Sequence, residues 1–122
     1  MADILVIDDD EIMAQLIAAI LESLGHTLRF AENGQDGLEQ VARQRPDLIV
    51  LDMNMPVMDG FEFARNLRNI PANRTIPVLA STAETHTASY DAAYDAGCDG
   101  FLRKPWSEEE LIERVGEFLN AK

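Results

Sequence analysis

The sequence predicts an α/β domain, a parallel sheet of five strands with helices on both faces. Three observations carry this. Short apolar runs without alternation recur, above all Ile4-Leu5-Val6-Ile7 and Leu48-Ile49-Val50-Leu51. A strand buried on both faces reads this way, the usual state of a helix-covered parallel sheet. Segments with apolar residues at helical spacing lie between the runs, and turn residues punctuate the alternation: Gly25, Asn33-Gly34, Pro46, Asp59-Gly60 and Gly97. Regular strand–helix alternation builds a parallel sheet through right-handed crossovers.

The first strand ends in Asp8-Asp9-Asp10, and a helix is predicted from about Glu11 to Leu24. Its apolar positions Ile12, Leu16, Ile20 and Leu24 recur every fourth residue, with Met13, Ile17 and Leu21 widening the stripe. Gly25 is a natural stop. Thr27 to Ala31 is a less apolar strand, expected nearer a sheet edge. A short helix, about Gln35 to Gln44, is expected to bury Leu38, Val41 and Ala42 before Pro46. The third strand, Leu48 to Leu51, runs into Asp52, followed by a turn closed by Pro56. A helix from about Phe61 to Arg68 offers Phe63, Ala64 and Leu67 for burial, and strand four spans Val78 to Ser81. Helix four is predicted from about Thr87 to Ala96, and strand five, Gly100 to Leu102, reaches Arg103-Lys104-Pro105. Ser107 with Glu110 three residues on is a capping-box signature for helix five, whose inner stripe is Leu111, Ile112, Val115 and Leu119. The expected sheet order is 2-1-3-4-5, a flavodoxin-like (βα)5 three-layer sandwich, with chemistry outside the carboxyl ends of the strands.

Composition narrows the function. The 122 residues suit one compact domain, read here as a single unit over 1–122. Lys and Arg number 10 against 22 Asp and Glu, a net charge of -12. That argues against direct nucleic-acid or anionic-membrane binding and suits a divalent cation or basic partners. No run of about 18 apolar residues or signal-like N-terminus is present. The single Cys98 permits no internal disulfide and fits a reducing compartment, so a cytoplasmic protein is expected, acting through a partner. Cys98 and the methionines 53, 55 and 58 read as packing residues, and His26 and His86 have no ligand partner in view.

In the 2-1-3-4-5 order, strands one and three are neighbours, so Asp8, Asp9 and Asp52 meet at one rim. Adjacent carboxylates repel, and a cation removes the conflict. All-oxygen ligands point to Mg²⁺, with Mn²⁺ possible, rather than zinc. Mg²⁺ keeps waters and leaves Asp52 partly free to attack phosphorus as a nucleophile. Thr82 and Lys104, at the ends of strands four and five, supply a hydroxyl and a cation for phosphoryl oxygens. The competing readings are structural: an Asp8-Asp9-Asp10 charge cluster at a helix N-terminus, Thr82 as a strand former, Lys104 as a solvated charge and Phe101 as core.

These residues and their surroundings resemble the response-regulator receiver domain of two-component signalling over nearly the whole chain. The chain resembles single-domain, chemotaxis-type receivers. The matching pieces are Asp8-Asp9, Asp52 with Met55-Pro56 and Met58-Asp59-Gly60, Thr82-Ala83, and Ala96-Gly97-Cys98-Asp99-Gly100-Phe101-Leu102-Arg103-Lys104-Pro105. The resemblance implies that Asp52 accepts a phosphoryl group from a phosphohistidine of a histidine kinase or histidine phosphotransfer protein. It implies that Asp8 and Asp9 hold Mg²⁺ with Asp52, that Asn54 gives a backbone carbonyl to the metal, and that Lys104 and Thr82 bond the phosphoryl group. Phe101 stands where such domains keep a switch aromatic, often tyrosine, Trp106 where phenylalanine is commoner, and Lys104-Pro105 where a cis peptide is usual. Phosphorylation is then expected to repack the face of helix four, strand five and helix five, which carries Tyr90, Tyr94 and Phe101, for a downstream partner or a phosphate relay. Asn54 and Glu84, two residues after Asp52 and Thr82, are expected to flank the attacking water and shorten the phosphoryl lifetime. The competing classes are a non-phosphorylated pseudo-receiver serving as an interaction module and a Mg²⁺-dependent aspartyl-phosphate phosphatase. The phosphatase would place a second acid where Asn54 stands. A flavin or nucleotide carrier lacks its Gly-rich loop.

Overall fold

The computed structural model describes residues 2–55, 58–82 and 87–119. Pro56, Glu84 and His86 lie outside the described residues. The elements are β1 (Asp3–Ile7), α1 (Glu11–Glu22), β2 (Thr27–Ala31), α2 (Gly34–Arg43), β3 (Leu48–Asp52), α3 (Gly60–Arg68), a 3-10 turn (Pro71–Asn73), β4 (Val78–Thr82), α4 (Thr87–Ala96), β5 (Gly100–Arg103) and α5 (Glu108–Leu119). The strands form one parallel sheet in the order β2-β1-β3-β4-β5, a three-layer flavodoxin-like sandwich. β2, the least apolar strand, lies at an edge as expected.

Alternation along the central strands divides the core in two. Ile4, Val6, Leu48, Val50, Leu79 and Leu102 face α1 and α5, packing on Ile17, Leu21, Leu111 and Val115. Leu5, Ile7, Ile49, Leu51, Val78 and Ala80 face α2, α3 and α4, packing on Val41, Phe63, Leu67 and Ala93. Cys98 is buried in the second core as a free thiol, its pKa pushed up to about 12 by burial. Met53 and Met55 are buried there too, with Met58 packed against them.

Two expected stripes are corrected. On α1 the buried residues are Ala14, Ile17, Ala18, Ile20 and Leu21, while Ile12 is 80% exposed and Leu16 and Leu24 are exposed. The helix is apolar on nearly every side, so periodicity alone does not choose a face. Ala14 and Ala18 let it approach the sheet closely, and the longer Ile12 and Leu16 turn outward. On α2, Val41 is buried and Leu38 partly so, but Ala42 is exposed. Gly37 takes the inner position instead, where a Cβ would stand 2.6 Å from Ile7 Cδ1.

The helix ends follow capping chemistry. Asp10, Asn33 and Asp59 are the N-caps of α1, α2 and α3, each accepting from backbone N–H groups of the first turn. Ser107 Oγ accepts from Glu110 N at 3.1 Å, and Glu110 Oε1 reaches back to Ser107, the expected capping box. Gly25 and Gly97 end their helices with φ of +93° and +119°, where other residues are strained. His26 Nδ1 accepts from Ala2 N at 3.2 Å, a local structural contact.

At the sheet's amino end Arg68 ties several elements together. Its Nε and Nη2 donate to Gly97 O at 3.0 and 2.8 Å, and Nη2 also donates to Asp99 Oδ2 at 2.9 Å. Asp99 Oδ2 in turn accepts from Val78 N at 2.8 Å, and Arg68 Nη1 donates to Asn73 O at 2.6 Å.

Candidate functional site

The carboxyl ends of β1, β3, β4 and β5 bring the predicted residues to one rim. Asp8, just past β1, and Asp52, the last residue of β3, continue the alternation that points toward α1 and α5. One carboxylate oxygen from each of Asp8, Asp9 and Asp52 lies within 4.8 Å of the others. Asp8 is 6% and Asp52 4% exposed, whereas Asp9 is open to solvent. Burial, with the Asp52 charge beside it, pushes the Asp8 carboxyl up to about 6, against the pull of its hydrogen bond from the Asp10 amide.

The three consecutive aspartates divide their work. Asp10 turns away from the cluster, and its Oδ1 accepts from Ile12 N and Met13 N at 3.0 and 3.2 Å. Its own amide donates to Asp8 Oδ1 at 2.9 Å, so the start of α1 orients the Asp8 carboxylate. The helix-charge reading therefore holds for Asp10, while Asp8 and Asp9 face Asp52.

Lys104 follows β5 and its Nζ donates to Asp52 Oδ1 at 3.2 Å; the Asn54 amide donates to the same oxygen at 3.1 Å. Lys104 is fixed through its own backbone, N donating to Thr82 O at 2.7 Å, and precedes a cis peptide to Pro105. Thr82 is 3% exposed at the end of β4. Its position continues the alternation of Val78 and Ala80, toward the α3–α4 layer that Phe101 also packs against. Phe101 sits between two tyrosine rings of α4, 4.8 Å from Tyr90 and 4.6 Å, edge-on, from Tyr94. Glu84, expected near Thr82, lies outside the described residues. Beside the cluster, a cavity of about 470 Å³ opens between α1 and the end of β2, lined by Asp8, Asp9, Glu11, Phe30, Glu32 and Asp36.

Chemically, the rim holds a hard-cation ligand set and a buried carboxylate, with an ammonium on one of its oxygens. It also holds one residue that sequence reasoning passed over. Ser81 is the register partner of Asp52 across β3 and β4. The signal was a hydroxyl inside an otherwise apolar strand run, Val78-Leu79-Ala80, read only as strand.

The sequence matches the response regulator receiver domain family over residues 4–116. The chain belongs to that family. Such receiver domains are phosphoacceptor switches rather than conventional enzymes, bind Mg²⁺ at an acidic pocket, and interact with histidine kinases or phosphotransfer proteins. Among curated relatives, this receiver chain is 39% identical over 116 residues to the response regulator MprA of Mycobacterium leprae. The match covers 95% of the chain and 50% of MprA, so the receiver spans about half the length of that relative. Among solved structures, the Vibrio cholerae chemotaxis protein CheY4 superposes with a TM-score of 0.93 at 32% identity, over 98% of this chain and 99% of that one. The receiver domain of the Pseudomonas aeruginosa sensor histidine kinase PA1611, solved with a magnesium ion in its active-site cleft, gives 0.90 at 28% identity, over 98% of each chain. No helix among the described residues of this receiver is long and apolar enough to cross a membrane.

Proposed function

We propose that this receiver accepts a phosphoryl group on Asp52 and that the modification controls a partner through the α4–β5–α5 face. The observation that carries the reading is the pairing of Asp52 Oδ1 with Lys104 Nζ at 3.2 Å beside a cluster of three carboxylates. The donor set fits Mg²⁺: two buried acids and one exposed acid converge, and burial raises Asp8, a conflict that a divalent cation relieves. Asp8, Asp9 and Asp52 would hold the ion, with the Asn54 carbonyl as a further ligand. When bound, Mg²⁺ supplies neutralising charge for the carboxylates and the phosphoryl oxygens.

The remaining chemistry belongs to the chain's own residues. One Asp52 carboxylate oxygen forms the new P–O bond as the P–N bond of a donor phosphohistidine breaks. The electron pair leaves with the imidazole nitrogen, which is protonated in turn. Lys104 moves from the carboxylate oxygen to the phosphoryl oxygens, and the Thr82 hydroxyl turns to donate to them. Phe101, packed in the layer that Thr82 faces, takes up space as Thr82 moves, and the Tyr90–Phe101–Tyr94 contacts pass the change to α4. Asn54, exposed beside Asp52, and Glu84 tune the attack of water and shorten the lifetime of the phosphoryl group. The phosphodonor is a histidine kinase or phosphotransfer protein in the cytoplasm.

Intact-protein mass after incubation with Mg²⁺ and acetyl phosphate tests this. A gain of one phosphoryl group is expected, absent in Asp52→Asn and with a chelator. No gain from acetyl phosphate or from a phosphorylated histidine donor would leave the pseudo-receiver reading in its place.

A further inference from the structure

Two buried polar side-chain atoms have no hydrogen-bond partner among the described residues: Ser81 Oγ and Trp106 Nε1. Native proteins rarely leave such groups unpaired, because each loses its water without compensation. These two occupy the same part of the molecule. Ser81, 1% exposed, comes two residues after Leu79 on β4, so its side chain faces the core under α1 and α5. Trp106 packs against that same core. Both are at the carboxyl end of the sheet. Ser81 is in register with Asp52, and Trp106 follows two residues after Lys104, whose ammonium reaches Asp52. Their chemistry is complementary, since an indole N–H only donates and a serine hydroxyl can accept.

The segment joining them to the site is short. Lys104 is held at one end by Asp52 Oδ1 and through its backbone by Thr82 O. Were a phosphoryl group on Asp52 to draw the ammonium to new oxygens, the segment from Lys104 to Trp106 is the part of the chain that would adjust with it. We propose that in the phosphorylated state Trp106 Nε1–H donates to Ser81 Oγ, making Ser81 a positioning residue that fixes the Lys104–Trp106 segment around the modified Asp52. The inference rests on Asp52 being the phosphoacceptor. It gives the serine in β4 and the tryptophan after Pro105 one shared role: each removes the other's unpaired buried group in one state and not in the other.

The test uses the single tryptophan, whose indole N–H gives one resonance in ¹⁵N-labelled protein. Spectra and intact mass are recorded together, before and after Mg²⁺ and acetyl phosphate, for the wild-type chain, Ser81→Ala and Ser81→Thr. On phosphorylation the wild-type indole N–H is expected to move downfield and to exchange with water roughly tenfold more slowly. Ser81→Thr keeps both changes and Ser81→Ala loses them while still gaining the phosphoryl mass. Ser81→Cys, close in volume but a weak acceptor, repeats the loss if Ser81→Ala folds poorly. An indole response that is the same without the hydroxyl, or absent in phosphorylated wild-type protein, overturns the inference and leaves the phosphoacceptor reading standing. No mass gain in the wild type, from acetyl phosphate or from a phosphorylated histidine donor, overturns that reading and the inference with it.

Discussion

Lys104 Nζ and Asp52 Oδ1 stand 3.2 Å apart, the lysine side chain a quarter exposed and the aspartate 5% exposed. The ammonium compensates a carboxylate that has already lost most of its water. Removing it leaves Asp52 and Asp8 buried side by side without a cation. Lys104→Met is therefore expected to lower stability at pH 8 by about 1–3 kcal/mol in urea titrations without metal. Millimolar Mg²⁺ should recover much of the loss. Equal loss with and without the ion would mean that Lys104 contributes through packing of its stem instead.

Asp8 acts in the opposite direction. Its carboxyl titrates at about 6 in the folded chain against 3.8 in the unfolded reference. A raised acid contributes stability that is fully present below the unfolded value and is lost as pH rises through the folded one. The metal-free protein should thus lose about 2–3 kcal/mol from this group between pH 4 and pH 7. Asp8→Asn removes that loss and makes the metal-free protein more stable than wild type at pH 8. Mg²⁺ requires the ionised form, so its affinity should fall as pH drops through about 6. Urea midpoints and calorimetric Mg²⁺ titrations at several pH values check both signs.

Asp9 and Asp10 are adjacent yet should fail differently. Asp10→Ala removes the cap of α1 and is expected to cost about 1 kcal/mol, with Mg²⁺ affinity reduced only through the looser Asp8. Asp9→Ala touches no cap and should leave the urea midpoint nearly unchanged while weakening Mg²⁺ binding at least about tenfold. Reversed outcomes would exchange the roles of the two residues.

Ile12, 80% exposed, and Leu16, nearly half exposed, leave an apolar strip on α1 directly after the acidic cluster. A protein bringing phosphohistidine to Asp52 has this strip within reach. Ile12→Ser with Leu16→Ser should slow phosphorylation by a protein donor about tenfold or more, as loss of interface anchors does. Phosphorylation by acetyl phosphate, which needs no docking surface, should not change. Parallel slowing with both donors would point instead to damage within the site.

Much of this was legible in the sequence because the signals were redundant. The runs Ile4–Ile7 and Leu48–Leu51 are too apolar for any place but a doubly covered sheet, and their adjacency joins Asp8 to Asp52. Lys104 was legible because it sits at a strand end. The buried face of α1 was not, since a helix apolar on most sides leaves the choice to how closely Ala14 and Ala18 can approach the sheet. The sequence assigned Asp8 and Asp9 to the cluster but offered the helix N-terminus to all three aspartates, and only the backbone geometry shows that Asp10 alone takes the cap. Ser81 was hidden for a related reason. A serine suits a strand end, and its register with Asp52 exists only once β3 and β4 pair.

The Arg68 contacts have a mechanical consequence. Gly97 O, just past the last turn of α4, accepts from both Nε and Nη2 of Arg68, and the same guanidinium holds Asp99 at the start of β5. The C-terminal end of α4 is thereby a fulcrum on α3. Any displacement of α4 must then be a swing about that point, smallest beside Arg68 and largest at the end that follows Thr82. Tyr90 lies farther along that lever than Tyr94, so the gap between Tyr90 and Phe101 should open more than the gap between Tyr94 and Phe101.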